Sequence, residues 1–122
     1  MLKITYCLTR RPEMSRSEFQ AYWRETHAPL VAAARGPLNI ARYVQMHTGA
    51  VPDGVASGRP GMPDDEYDGV AELWWRSLED LQAADATEEG QRHGMILAED
   101  EAQFIDFSRS RLFWGVDKTI FD

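Results

Sequence analysis

The chain of 122 residues is short of several things, and each shortage closes a class of function. It has a single cysteine, Cys7, so no internal disulfide can form and no cysteine-rich zinc site can be built. A thiol-poor chain suits a reducing compartment, and the N-terminus MLKITYCLTRRPE has no apolar stretch fit for a signal peptide, so the cytoplasm is the default expectation. No run approaches the roughly 20 apolar residues of a membrane helix. Basic residues are outnumbered, 13 against 20 acidic, for a net charge of -7. That balance argues against nucleic acid and against an anionic membrane surface as partners. The three histidines show no H-x-H, H-x-x-x-H or E-x-x-H spacing, so no metal is expected. GVASGRPG is the nearest approach to a phosphate loop, and it lacks the lysine and does not match G-x-G-x-x-G, so no nucleotide cofactor is expected either.

What remains is an ordinary globular composition, 43% hydrophobic and 27% charged, on a length that fits one domain over residues 1–122. LKITYCLT, residues 2–9, alternates as a strand, with Leu2, Ile4, Tyr6 and Leu8 on one face. Ser15-Arg16-Ser17-Glu18 forms a capping box. The helix it opens carries Phe19, Tyr22, Trp23, His27 and Leu30 along one stripe, with Pro29 bending it or starting a second segment and Gly36-Pro37 ending it. Residues 39–48 read as a second strand, with Tyr43, Gln45 and His47 on a shared face. The glycine- and proline-rich stretch 49–65 is long for a connection unless it covers a site or lacks order. DGVAELWW, residues 68–75, reads as a third strand. Helices capped by Ser77 and Thr87 come next, the second running to about Glu99. AQFIDFS, residues 102–108, reads as the fourth strand, and RLFWGVDKTIF as a tail with strand character.

The order is βαββαβ, the ferredoxin-like α+β pattern of one antiparallel sheet with helices on one side. Such a sheet leaves a face bare. Neither face of the strands is plainly polar: Leu73 and Trp75 oppose Val70 and Trp74 on the third. A second copy packed over that face is the simplest cover, and back-folding of the C-terminal residues is the other.

Several side chains could carry chemistry. His27 shares a helical face with Trp23 and Leu30. It is either an acid/base group in an apolar pocket or a structural residue bonded to backbone at the Pro29 bend. Asp106, between Ile105 and Phe107, either orients a histidine or serves as a base, or else caps a loop. Tyr6, Tyr22, Tyr43, Trp23, Trp74 and Trp75 include candidate pocket walls, and His47 could line a pocket mouth. Cys7 reads as a small buried residue, and Glu72 as an inward or interface carboxylate of lower rank.

The segment RRPEMSRSEFQAYWRETHAPLV resembles the opening of EthD-domain proteins, which have a strand, an arginine-proline turn, a capped helix with Phe and Trp, and a His-Ala-Pro step. DEAQFIDFSRS is similar to that family's closing strand with its aspartate. The resemblance implies a dimeric α+β barrel, two sheets face to face. The wider superfamily that the resemblance points to includes cofactor-free isomerases, dehydratases, decarboxylases and polyketide cyclases, along with small catabolic proteins. A methylmuconolactone-isomerase relative has a histidine at a position similar to His27 and a third-strand cysteine. Leu73 stands about where that cysteine would be, so that isomerase chemistry does not transfer. The polyketide-cyclase relatives pair a strand aspartate with a histidine, which here nominates Asp106 with His93.

The expectation is a homodimer acting without cofactor on a small hydrophobic ring or polyketide-like metabolite. His27 and Asp106 would be catalytic, with Tyr6, Tyr22, Trp23, His47 and Trp74 binding substrate. The reaction would be a dehydration, decarboxylation, isomerisation or cyclisation. The other reading is a non-catalytic binding or accessory protein of a degradative, monooxygenase-linked pathway.

Overall fold

A computed structural model describes residues 1–49, 51, 58–62 and 67–122. Most of the 49–65 stretch, whose length suggested a cover for a site, lies outside the described residues.

Four strands, β1 (Leu2–Leu8), β2 (Arg42–His47), β3 (Gly69–Trp75) and β4 (Arg111–Val116), form one antiparallel sheet in the order β2-β3-β1-β4. Helices α1 (Arg16–Tyr22), α2 (Ala28–Ala34), α3 (Leu78–Asp85) and α4 (Glu88–Glu101) complete the α+β ferredoxin-like architecture. The capping box forms as its sequence requires: Ser15 Oγ accepts from the Glu18 amide and Glu18 accepts from the Ser15 amide. Ser77 and Thr87 cap α3 and α4 one way only, accepting from the amides of Asp80 and Gly90. No helix among the described residues is long and apolar enough to cross a membrane.

The bend at Pro29 has a specific form. Trp23–His27 winds as a π-helical turn between α1 and α2, with the Ala28 amide reaching back to the Trp23 carbonyl. Pro29 is in the first turn of α2 and has no N–H to offer the preceding turn. The wider winding absorbs that loss and rephases the side chains. Trp23 and His27, four residues apart, are both turned inward, at 1% and 5% exposure.

Inside, Leu8, Phe19, Trp23, Ala71, Phe104 and Ile105 form one core cluster, and Val31, Ala34, Ile40, Trp75 and Leu97 a second. Gly69 lets the layers meet, because a Cβ there would stand 2.3 Å from the Trp23 ring. At the start of β3, Asp68 is 1% exposed and its carboxylate gathers three donors. They are Arg10 Nη1 at 2.6 Å, the Arg10 amide at 2.8 Å and Arg16 Nε at 3.2 Å.

The fourth strand is not where the sequence placed it. α4 runs to Glu101, Ile105 makes one isolated bridge with Arg10, and Phe107–Arg109 is a 3₁₀ turn. Side-chain hydrogen bonds decide this. Asp106 Oδ1 accepts from both the amide and the hydroxyl of Ser108. Ser110 Oγ accepts from the Thr9 amide and donates to the Asp106 carbonyl. Serine and aspartate offer the backbone partners that compete with a strand ladder. Pairing with β1 begins only at Arg111, so the residues read as a tail provide β4.

The uncovered sheet face is mixed rather than apolar. Lys3 bonds Glu72 at 2.6 Å and Asp117 at 2.7 Å, and Trp74 lies beneath Lys3 and Arg42. Met46 and Phe113 on this face are each more than half exposed.

Candidate active site

Between the π turn, the sheet and the end of α4 lies a chamber of about 50 Å³. His27, Trp23, Tyr6, Tyr43, Leu97 and Glu101 are among its walls. His27 Nδ1 stands 2.8 Å from Asp100 Oδ2, and the other Asp100 oxygen accepts from the Tyr22 hydroxyl at 2.6 Å. A carboxylate can only accept, so Nδ1 carries the hydrogen. The neutral ring then presents the lone pair of Nε2, on the side where Glu101 Oε2 lies 3.9 Å away. Phe104 packs against the imidazole with ring centres 5.0 Å apart.

Burial and neighbours set the electrostatics. Burial lowers the His27 pKa, and the Asp100 hydrogen bond opposes that only in part. The imidazole therefore rests neutral, as a base must. Burial foremost, and then the charge of Asp100, pushes Glu101 up to about 7. Burial likewise pushes the Tyr6 phenol up to about 12, with Glu101 adding to it. Tyr22 is raised to about 12, chiefly by its bond to Asp100. Among the described walls there is no lysine or arginine to reverse these effects.

Tyr43 closes one side. Its hydroxyl accepts from Gln45 Nε2 at 2.7 Å, and the same nitrogen donates to the Trp23 carbonyl. Beyond Tyr43 and Val31, which line both spaces, opens a shallower cleft of about 340 Å³ with Ile40, Arg35 and Arg42 on its rim.

The structure brings together some of the nominated residues and not others. His27, Tyr6 and Trp23 line the chamber. Tyr22 stands one bond behind, through Asp100. His47 stacks on the outer side of Trp23 at 4.7 Å and bonds Gln45, buttressing the wall. Trp74 does not join them: strand alternation turns Ala71, Leu73 and Trp75 toward the helices and Trp74 to the opposite face, where its indole donates to Asp117. Asp106 does not join either, since its carboxylate is spent capping the 3₁₀ turn. Nor does it meet His93, whose ring instead lies near Glu89 and Arg92. Cys7 and Glu72 are on the uncovered face, with the thiol raised by burial. No group of three or more His, Cys, Asp or Glu among the described residues is placed to hold a metal ion.

Asp100 and Glu101 escaped the sequence reading, hidden in the acidic run AEDE of residues 98–101. One signal was available. Carboxylates in the last turn of a helix oppose its macrodipole, and the last turn of α4 has no basic residue. Acids kept there need another reason.

The sequence profile of the EthD domain matches residues 11–108, four-fifths of the chain. The chain belongs to the EthD-domain family. This EthD domain is 27% identical, over 94% of its length and 81% of the relative's, to the conidial pigment biosynthesis dehydratase EthD of Metarhizium robertsii. Its fold matches that of an EthD family protein of Bacillus halodurans with a TM-score of 0.62 at 24% identity, covering 97% of this chain and 99% of that one. A dimeric ferredoxin-like protein of Bacteroides fragilis, of unknown function, matches with a TM-score of 0.55 at 10% identity over 93% of each chain.

Proposed function

We propose that this EthD domain is a cofactor-free acid/base enzyme that eliminates water from a hydrophobic ring metabolite, with His27 as the base. The observation that carries the reading is the Tyr22–Asp100–His27 chain of hydrogen bonds, which fixes one imidazole tautomer and directs its free nitrogen into a chamber shared with Glu101. Dehydration is preferred among the candidate reactions because the curated relative is a pigment dehydratase. The chamber's size agrees: about 50 Å³ admits a hydroxyl or a water, whose share of liquid volume is roughly 30 Å³. A ring does not fit there and rests instead in the cleft across Tyr43 and Val31, with only its reacting carbons reaching His27. Asp106 remains outside this mechanism.

The test is turnover of uncharged β-hydroxy ring ketones, beginning with 3-hydroxycyclohexanone, monitored by enone absorbance. His27→Ala should lower the rate by about 10²-fold, the scale of a lost general base. Wild-type turnover in His27→Ala removes His27 from the mechanism.

The working unit we propose is a homodimer, with a second copy covering Met46 and Phe113 on the mixed sheet face. The dimeric state of the Bacteroides fragilis protein supports this. Sedimentation at micromolar concentration should give twice the chain mass, and a single-chain mass there rejects it.

A further inference from the structure

We infer that Glu101 is the proton donor of this site, passing its proton to the hydroxyl group that leaves. The inference rests on His27 being the base and goes on to say which acid completes the reaction and what substrate it admits. Glu101 is placed for it. Its carboxyl borders the same chamber as His27, with Oε2 3.9 Å from Nε2, and three-quarters of its side chain is hidden from solvent. Among the described residues its carboxyl has no hydrogen-bond donor within reach, whereas neighbouring Asp100 receives two. Adjacent carboxyl groups thus hold different tasks: Asp100 is bonded and orienting, and Glu101 is unbonded and able to keep a proton.

The groups facing Glu101 come from both the helices and the sheet. They are the neutral His27 from the π turn, Asp100 from its own helix, the Tyr6 phenol from β1 and the Tyr43 phenol from β2. No cation stands among them. Burial and the charge of Asp100 hold the carboxyl up to about 7, so a large fraction is protonated at neutral pH.

The elimination then balances. Nε2 of His27 takes the proton on the carbon between the carbonyl and the hydroxyl-bearing carbon. That C–H pair becomes the C=C bond as the C–O bond breaks, and the departing oxygen takes the proton of Glu101 and leaves as water. Imidazolium and carboxylate remain 3.9 Å apart, close enough to return the proton through one water without recourse to bulk solvent. The chamber also selects the substrate class: a β-hydroxy ring ketone whose buried end is uncharged, because a chamber walled by Glu101, with Asp100 behind His27 and no cation among its described walls, repels a carboxylate.

Two measurements test this. Carboxyl-labelled glutamate NMR, using Glu101→Gln to assign the signal, should find Glu101 mostly protonated at pH 6 without any ligand. A carboxyl ionised at pH 6 overturns the inference whatever the enzyme turns over. With 3-hydroxycyclohexanone, Glu101→Gln should lose about 10²-fold in turnover, and the wild-type rate should fall as pH rises through about 7. Full activity in Glu101→Gln alongside loss in His27→Ala overturns the Glu101 role and leaves the His27 reading standing. Full activity in His27→Ala sinks the reading beneath both.

Discussion

Asp68→Ala is expected to cost about 3–5 kcal/mol of folding stability, the range for breaking a buried ion pair, and to lower the melting temperature by roughly 10 °C or more. The carboxylate is 1% exposed and serves three donors from two separate segments. Its removal strands the Arg10 amide beside a newly emptied volume. Arg10 and Arg16 are each about a third exposed and can turn to water, which holds the loss toward the lower figure. Among the described residues the Arg10 amide bonds only the Asp68 carboxylate. Urea denaturation of the variant and wild type checks the value, and a difference under 1 kcal/mol contradicts the clamp.

Glu101→Gln is expected to stabilise the protein, and only at high pH. A carboxyl held at about 7 when folded, against an ordinary 4.5, binds its proton more tightly in the folded state. Its contribution is complete below pH 4.5 and is lost as pH rises through 7. The gap corresponds to ~3 kcal/mol at about 1.4 kcal/mol per pKa unit. Glutamine keeps the shape of the neutral acid and cannot ionise, so it escapes the loss. The variant should exceed wild type by up to ~3 kcal/mol at about pH 8 and match it near pH 4. His27 titrates with the opposite sign, since its lowered pKa makes acid destabilising. It is present in both proteins, and at pH 8, where its ring is neutral, it drops out of the difference. Equal stability of the two proteins at pH 8 would show that Glu101 is solvated and ordinary.

The capped helices and the alternation of β1 and β3 were legible because their causes are local: a hydroxyl three residues before an amide, or a side chain every second position. The EthD pattern was legible for the same reason, being a sequence of short motifs. The His27 stripe was visible, but its partners were not. Asp100 and Glu101 sit 73 and 74 positions further along the chain, and only the docking of α4 against the π turn makes them neighbours. Asp106 drew attention through its apolar flanks. Those flanks were real, since Ile105 is core, yet the serines beyond it bent the backbone away from the sheet. A strand assignment there needed knowledge of competing hydrogen bonds that periodicity does not contain. Trp74 was misjudged for a simpler reason: in WW only one indole can face the helices, and the sequence does not say which.

The π-helical turn makes the imidazole's direction a matter of counting. Ordinary winding advances each residue by roughly 100° around the axis. The π turn closes on the fifth residue where an ordinary turn closes on the fourth, so deleting one residue inside Trp23–His27 would let the coil close up normally and leave α2 close to its present phase relative to Trp23. A deletion within α1 or α2 has no such slack and would swing everything beyond it by that full angle.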